Sequence, residues 1–230
     1  MPGTATPPVA YTTLARAASH ELEVKRSRFI AYLVRTDTEE AARGVVAGLR
    51  KQHHDARHHC SAFVLGPDRA VQRSNDDGEP SGTAGAPMLE ALAKRQTPSG
   101  AADLSDITAV VVRYFGGVLL GAGGLVRAYS QAVSTALDGA RLVQRRRMAL
   151  FGIEVDHAAA GRLENDLRSD GTTLLETFYG PDRATLRVAL PDGPDTAADF
   201  GARLATLTGG VCSAEPDGTQ WVDTGFGVRP

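Results

Sequence analysis

Residues Ile107–Leu137 read ITAVVVRYFGGVLLGAGGLVRAYSQAVSTAL, and this stretch decides the fold class. Ile107–Phe115 is a short, nearly unbroken apolar run rich in β-branched residues, the pattern of a strand buried on both faces. It stops at Gly116-Gly117, and Gly121-Ala122-Gly123-Gly124 follows Leu120. Leu125, Val126, Tyr129, Ala132, Val133, Ala136 and Leu137 then recur at helical spacing. Strand, glycine-rich turn and helix in succession predict an α/β first domain, within an overall fold class expected to be α+β. At such a turn, backbone N–H groups and the helix dipole favour an anion.

Upstream, Glu21–Val34 alternates apolar and charged residues and predicts one or two strands. Asp37 with Glu40 three residues on marks a helix start, with Asp37 as N-cap. Ala41, Ala42, Val45, Val46 and Leu49 carry that helix on. A strand is expected at His59–Leu65, a polar run at Arg73–Gly78, and a helix near Pro87–Arg95 with Pro87 in its first turn. Gly139–Arg147 is a natural boundary, with Arg145–Arg147 as a linker or the lead of the next strand. Beyond it the pattern is βαββαβ: Ala149–Val155, Ala158–Arg168, Thr172–Tyr179, Thr185–Leu190, a helix carrying Phe200, Leu204 and Leu207, and a strand near Val211–Glu215. That order is the ferredoxin-like split βαβ arrangement. The expected division is a loose tail at 1–18, an α/β domain at 19–142, a second domain at 147–215 and a tail at 216–230 holding Trp221.

The chain has 230 residues, 42% hydrophobic and 23% charged, with a formal net charge of −2. The basic residues gather in front: 19 Lys+Arg against 14 Asp+Glu from Met1 to Arg147, and 6 against 13 afterwards. This tilts the first half toward an anionic partner. The apolar run from Ile107 to Val112 is far short of a membrane span of about 18 residues, and the proline-bearing N-terminus does not read as a signal peptide. A cytoplasmic protein without a membrane partner is expected. Cys60 and Cys212 are read as free thiols, with one disulfide as the alternative.

Two glycine-rich turns, Gly78–Gly85 and Gly116–Gly124, are the candidate working surface. A Rossmann fingerprint needs a glycine where Val126 stands, and a Walker loop needs Lys-Ser or Lys-Thr after Gly121, where Ala122-Gly123 stands. The glycines either present amides to an anion or serve positive φ angles and close packing. Asp76, Asp77 and Glu79 are suited to Mg²⁺ or acid–base work, or to turn bonding. Arg113 and Arg127 stand ready to offset their charge. The run His53-His54-Asp55-Ala56-Arg57-His58-His59-Cys60 lacks metal-ligand spacing, because neighbouring strand residues point to opposite faces; a structural or surface role is expected, with one histidine free to line a binding face.

From Lys25 to Ala140 the sequence resembles the YigZ/Impact family. The resemblance is carried by Asp55-Ala56-Arg57-His58-His59-Cys60, by Asp76 to Gly85 (DDGEPSGTAG), by Val111 to Gly117 (VVRYFGG) and by Leu120 to Tyr129 (LGAGGLVRAY). Met148–Glu215 also resembles the smaller domain of bacterial members. The resemblance implies a first domain like the second domain of a small-subunit ribosomal protein, with a left-handed crossover, and a second like the last domain of elongation factors. It also implies a link to regulation of translation. The resulting expectation is a non-enzymatic protein without cofactor that binds RNA or a ribosome-associated protein. Arg28, Arg57, Arg113 and Arg127, with Lys25 and Arg26, would contact phosphate alongside the amides of Gly82, Gly85, Gly116, Gly117, Gly121, Gly123 and Gly124. Tyr114 or Phe115 would stack on a base. The alternative is an enzyme for a phosphorylated small molecule using Mg²⁺ at Asp76, Asp77 and Glu79.

Overall fold

The apolar run Ile107–Tyr114 is the central strand of a five-stranded antiparallel sheet. The structure, a computed structural model, describes residues 8–226. The strands are β1 (Ala10–Leu14), β2 (Ala18–Val24), β3 (Ser27–Arg35), β4 (His58–Leu65), β5 (Val71–Asn75), β6 (Ile107–Tyr114), β7 (Leu142–Val155), β8 (Thr173–Tyr179), β9 (Ala184–Pro191) and β10 (Ala214–Thr224). The helices are α1 (Glu39–Gln52), α2 (Gly85–Ala93), α3 (Ala122–Asp138), α4 (His157–Ser169) and α5 (Thr196–Thr208). The fold is α+β, in two compact units that divide at Arg145/Arg146, the chain from Thr224 counting with the first.

In the first unit the sheet order is β2-β3-β6-β4-β5. β6 is antiparallel to both β3 and β4, so the connection from β3 through α1 to β4 passes over it. Both faces of β6 are covered, which explains its lack of alternation. Val111 and Ala109 join Phe29, Cys60, Tyr129, Met88 and Leu125 in the core under α2 and α3. Val110 and Val112 pack with Leu49 of α1 on the other face. In the second unit, α4 and α5 pack Leu163, Leu167, Phe200 and Leu204 onto Phe151, Ile153, Leu186 and Val188. There β9 lies between β7 and β8, and β10 pairs with β7.

Several expectations need correction. Within the supposed tail at 1–18, Ala10–Leu14 is a strand, with Leu14 fully buried and Tyr11 nearly so. It is held by the Tyr11 hydroxyl to Asp106 and by Thr12 N–H to the Asp103 carbonyl at 3.1 Å. The supposed tail at 216–230 carries most of β10, whose Pro216 and Gly218 obscured it; proline is tolerated in an edge strand. Residues 1–7 and 227–230 of those tails lie outside the described residues. The N-cap of α1 is Thr38, whose hydroxyl accepts from Ala41 N–H at 3.1 Å, not Asp37. Of the two readings of Arg145–Arg147, the strand holds: they lie inside β7. Val71–Asn75, whose last three residues fall in the expected polar run, is a sheet strand. The two cysteines are free. Among the described residues no helix is long and apolar enough to cross a membrane.

Candidate anion-binding site at the second glycine-rich turn

The two glycine-rich turns have different occupants. In the first, Asp76 Oδ1 accepts from the amides of Ala84 (3.0 Å) and Gly85 (2.8 Å), and Oδ2 accepts from Gly82 (2.8 Å). The N–H groups expected to hold an external anion therefore hold the chain's own carboxylate. Burial alone would raise the Asp76 carboxyl; the amides of Gly82, Gly85 and Ala84 overcome it and keep it below the ordinary carboxylate range. Gly85 must be glycine here, since a Cβ would lie 2.7 Å from Asn75 N. A folded-state pKa lowered in this way supports stability above the unfolded-state pKa, and the support is lost as pH falls through the folded value. Asp76→Asn is expected to lower stability by about 1–3 kcal/mol at neutral pH. Urea unfolding across a pH series checks it: the gap from the parent should close as pH drops below the carboxylate range.

The three acidic residues do not converge on one ion. Asp77 pairs with Arg50 and accepts from His59 N–H at 2.6 Å. Glu79 is buried and accepts at Oε1 from Arg113 Nη1 (2.5 Å) and the Tyr129 hydroxyl (2.8 Å). Among the described residues no group of three His, Cys, Asp or Glu is placed to share a metal. The alternative Mg²⁺ site at these three residues finds no shared ligand set among the described residues, because each carboxylate has a different partner. The Cys60 Sγ lies 3.3 Å from the Tyr129 hydroxyl, and burial pushes its thiol up to about 12, away from nucleophilic use at neutral pH.

The second turn is built differently. Gly116 packs so tightly on the β2–β3 hairpin that a Cβ would come within 2.1 Å of the Arg26 carbonyl. That hairpin turns through Lys25 and Arg26, both left-handed at φ 48° and 66°. Their side chains are exposed beside the turn. Lys25 and Arg127 share a hollow of about 560 Å³ with Gly123 and Gly124 in the first turn of α3. On its other side a cavity of about 380 Å³ is lined by Arg57, His58, Glu79, Arg113, Gly121 and Ala122, among others. The N-cap of α3, Gly121, has no side chain with which to cap the helix.

Lys25, Arg26, Arg57 and Arg127 make no ion pair among the described residues, whereas Arg43, Arg50, Arg95 and Arg147 each have a carboxylate partner. Arg28 stands outside the cluster, held by Glu21 at 2.7 and 3.1 Å. Arg113 is buried against Glu79 and reaches the cavity from below. Of the two stacking candidates, Tyr114 is tied to His53 (2.9 Å) and Asp55 (3.1 Å), while Phe115 is exposed with the Arg113 guanidinium 5.7 Å from its ring.

The histidines separate as their alternation requires. His59 faces the hollow lined by Arg43 and Arg50, and His58 the cavity at α3. His58 Nδ1 donates to the Asp77 carbonyl at 2.9 Å, so the neutral ring presents Nε2 as an acceptor, 4.0 Å from Glu79 Oε1. Sequence reasoning placed Tyr129 only on a core face and missed its bond to Glu79; helical spacing shows burial, not what the hydroxyl meets.

Residues 25–137 match the Impact N-terminal domain family. The IMPACT family member YvyE of Bacillus subtilis strain 168 is 45% identical over 170 residues, covering 74% of this chain and 75% of its own. The IMPACT family member YigZ of Escherichia coli K12 is 42% identical over 190 residues, 82% of this chain and 88% of its own. A crystal structure of a hypothetical protein, 37% identical, aligns over 89% of this chain and 96% of its own with a TM-score of 0.58. With identity at this level spanning most of both chains, this chain belongs to the IMPACT family.

Proposed function

We propose that this is a translation-associated regulatory protein that binds RNA, free or on the ribosome, through the second glycine-rich turn. The observation that carries the reading is the set of unpaired cations, Lys25, Arg26, Arg57 and Arg127, around the uncapped start of α3. Cations without protein partners are free to exchange counterions for phosphates, and exposed Phe115 offers a face to a base. The reading includes a cytoplasmic location. It also takes the first unit as similar to the second domain of a small-subunit ribosomal protein. The βαββαβ order of the second unit, with sheet order β10-β7-β9-β8, supports taking that unit as ferredoxin-like. Binding of fluorescent single-stranded RNA and of purified ribosomes at low salt tests the proposal. Micromolar or tighter affinity supports it, and no affinity for either would sink it.

The hairpin supplies a separate test. Two non-glycine residues with positive φ cost on the order of 1 kcal/mol each, whereas Asn-Gly suits such a two-residue turn. Changing Lys25→Asn together with Arg26→Gly is expected to raise stability by about 1–2 kcal/mol while weakening RNA binding. Thermal melts and the binding titration should move in opposite directions.

A further inference from the structure

The cavity beside α3 is not simply cationic. Arg57 is unpaired at its rim, and Arg113, with its side chain 6% exposed, has a buried Nε without a hydrogen-bond partner. Against these stand two acceptors. In the neutral tautomer, with Nδ1 donating to the Asp77 carbonyl, His58 Nε2 is an acceptor without a donor among the described residues. Glu79 receives both its hydrogen bonds at Oε1, and no group among the described residues bonds Oε2. A phosphodiester, which has no hydroxyl of its own, would meet the cations and the first-turn amides of α3 but could not satisfy these acceptors. A ligand that suits the whole cavity brings a hydroxyl donor next to its anionic group. At about 380 Å³ the space lies at the small end of ligand pockets, about 300–1,000 Å³, and suits one sugar-phosphate unit.

We infer that this cavity binds a ribose 3′-phosphate unit, with the phosphate on Arg57, Arg113 and the start of α3 and the neighbouring 2′-hydroxyl donating to His58 Nε2 or Glu79 Oε2. The 2′-hydroxyl is the group by which a protein tells RNA from DNA, so the cavity makes the site ribose-selective. This rests on the anion-binding reading of the same turn. The unit occurs both in an RNA chain and in a free ribonucleoside 3′-phosphate.

The full chain is titrated by calorimetry with adenosine 3′-monophosphate and 2′-deoxyadenosine 3′-monophosphate, and by fluorescence with RNA and DNA oligonucleotides of one sequence. At least tenfold preference for the ribose form is expected. If it appears in the mononucleotides alone the source is a free nucleotide; if in the oligonucleotides as well, RNA. Ala122→Glu places a carboxylate at the cavity rim, where the start of a helix tolerates acid, so the fold is kept and a thermal melt confirms it. This variant should lose at least tenfold in affinity for the ribose ligand, and Glu79→Gln should reduce the ribose preference. Equal affinity for ribose and deoxyribose forms overturns the inference while RNA binding itself stands. Ribose-selective mononucleotide binding without RNA or ribosome binding upholds it and removes the broader proposal. No binding of any of the four ligands overturns the inference, and the ribosome assay then decides the broader proposal by itself.

Discussion

Glu79→Ala is expected to destabilise the first unit by about 3–5 kcal/mol, the cost of leaving one member of a buried ion pair alone. Both side chains of the pair are almost fully enclosed, 6% exposed for Arg113 and 4% for Glu79, so removing the carboxylate strands a largely buried guanidinium. The Tyr129 hydroxyl loses its acceptor at the same time. Burial first, and then the neighbouring Cys60 and Glu79, push its pKa far up, so it stays a neutral donor throughout the ordinary pH range. Urea unfolding followed by near-UV signals gives the size of the loss. Pairing Glu79→Leu with Arg113→Met should recover at least about 1 kcal/mol beyond additivity, since removing both charges leaves neither stranded. A loss under about 1 kcal/mol for Glu79→Ala would mean that water reaches the pair.

Gly116→Ala carries the second large effect. The added methyl would sit 2.1 Å from the Arg26 carbonyl carbon and oxygen and 2.5 Å from Ser27 N. These are backbone atoms of a paired hairpin and cannot swing away. Overpacking of this kind costs about 1–3 kcal/mol, and here it also moves Lys25 and Arg26 off the turn, so RNA affinity should fall with stability. Gly123→Ala is the contrast. Nothing lies within 4 Å of its Cβ position and its φ is not positive, so alanine should stabilise the helix by up to about 1 kcal/mol. Melting temperatures of the two variants should therefore shift in opposite directions.

The strand, turn and helix from Ile107 to Leu137 were legible because burial on both faces and a one-sided helix leave distinct periodicities. β1 was not, since five residues after a proline-rich start carry too little pattern and their burial depends on Asp103 and Asp106, far along the chain. The last strand, expected near Val211–Glu215, runs instead over Ala214–Thr224, and its extension was hidden because edge strands accept Pro216 and Gly218. At the site, the place of the second turn between β6 and α3 was readable. What could not be read was occupancy. Asp76 is adjacent to Asp77 in sequence, yet its carboxylate fills the amides of Gly82, Ala84 and Gly85, and Arg28 is taken by Glu21 across a strand pair. Composition shows which groups are charged; only three dimensions show which remain unsatisfied.

Under the proposed function, the unpaired cations around α3 engage nucleic-acid phosphates. Its most direct test is the salt dependence of RNA affinity for the parent and for the fourfold variant Lys25→Ala, Arg26→Ala, Arg57→Ala, Arg127→Ala. Each phosphate contact on a single strand contributes about 0.7 to the slope of log K against log salt. The slope should therefore flatten by about 2 to 3 in the variant, with an unchanged melting temperature. Identical slopes for the two proteins would contradict the account.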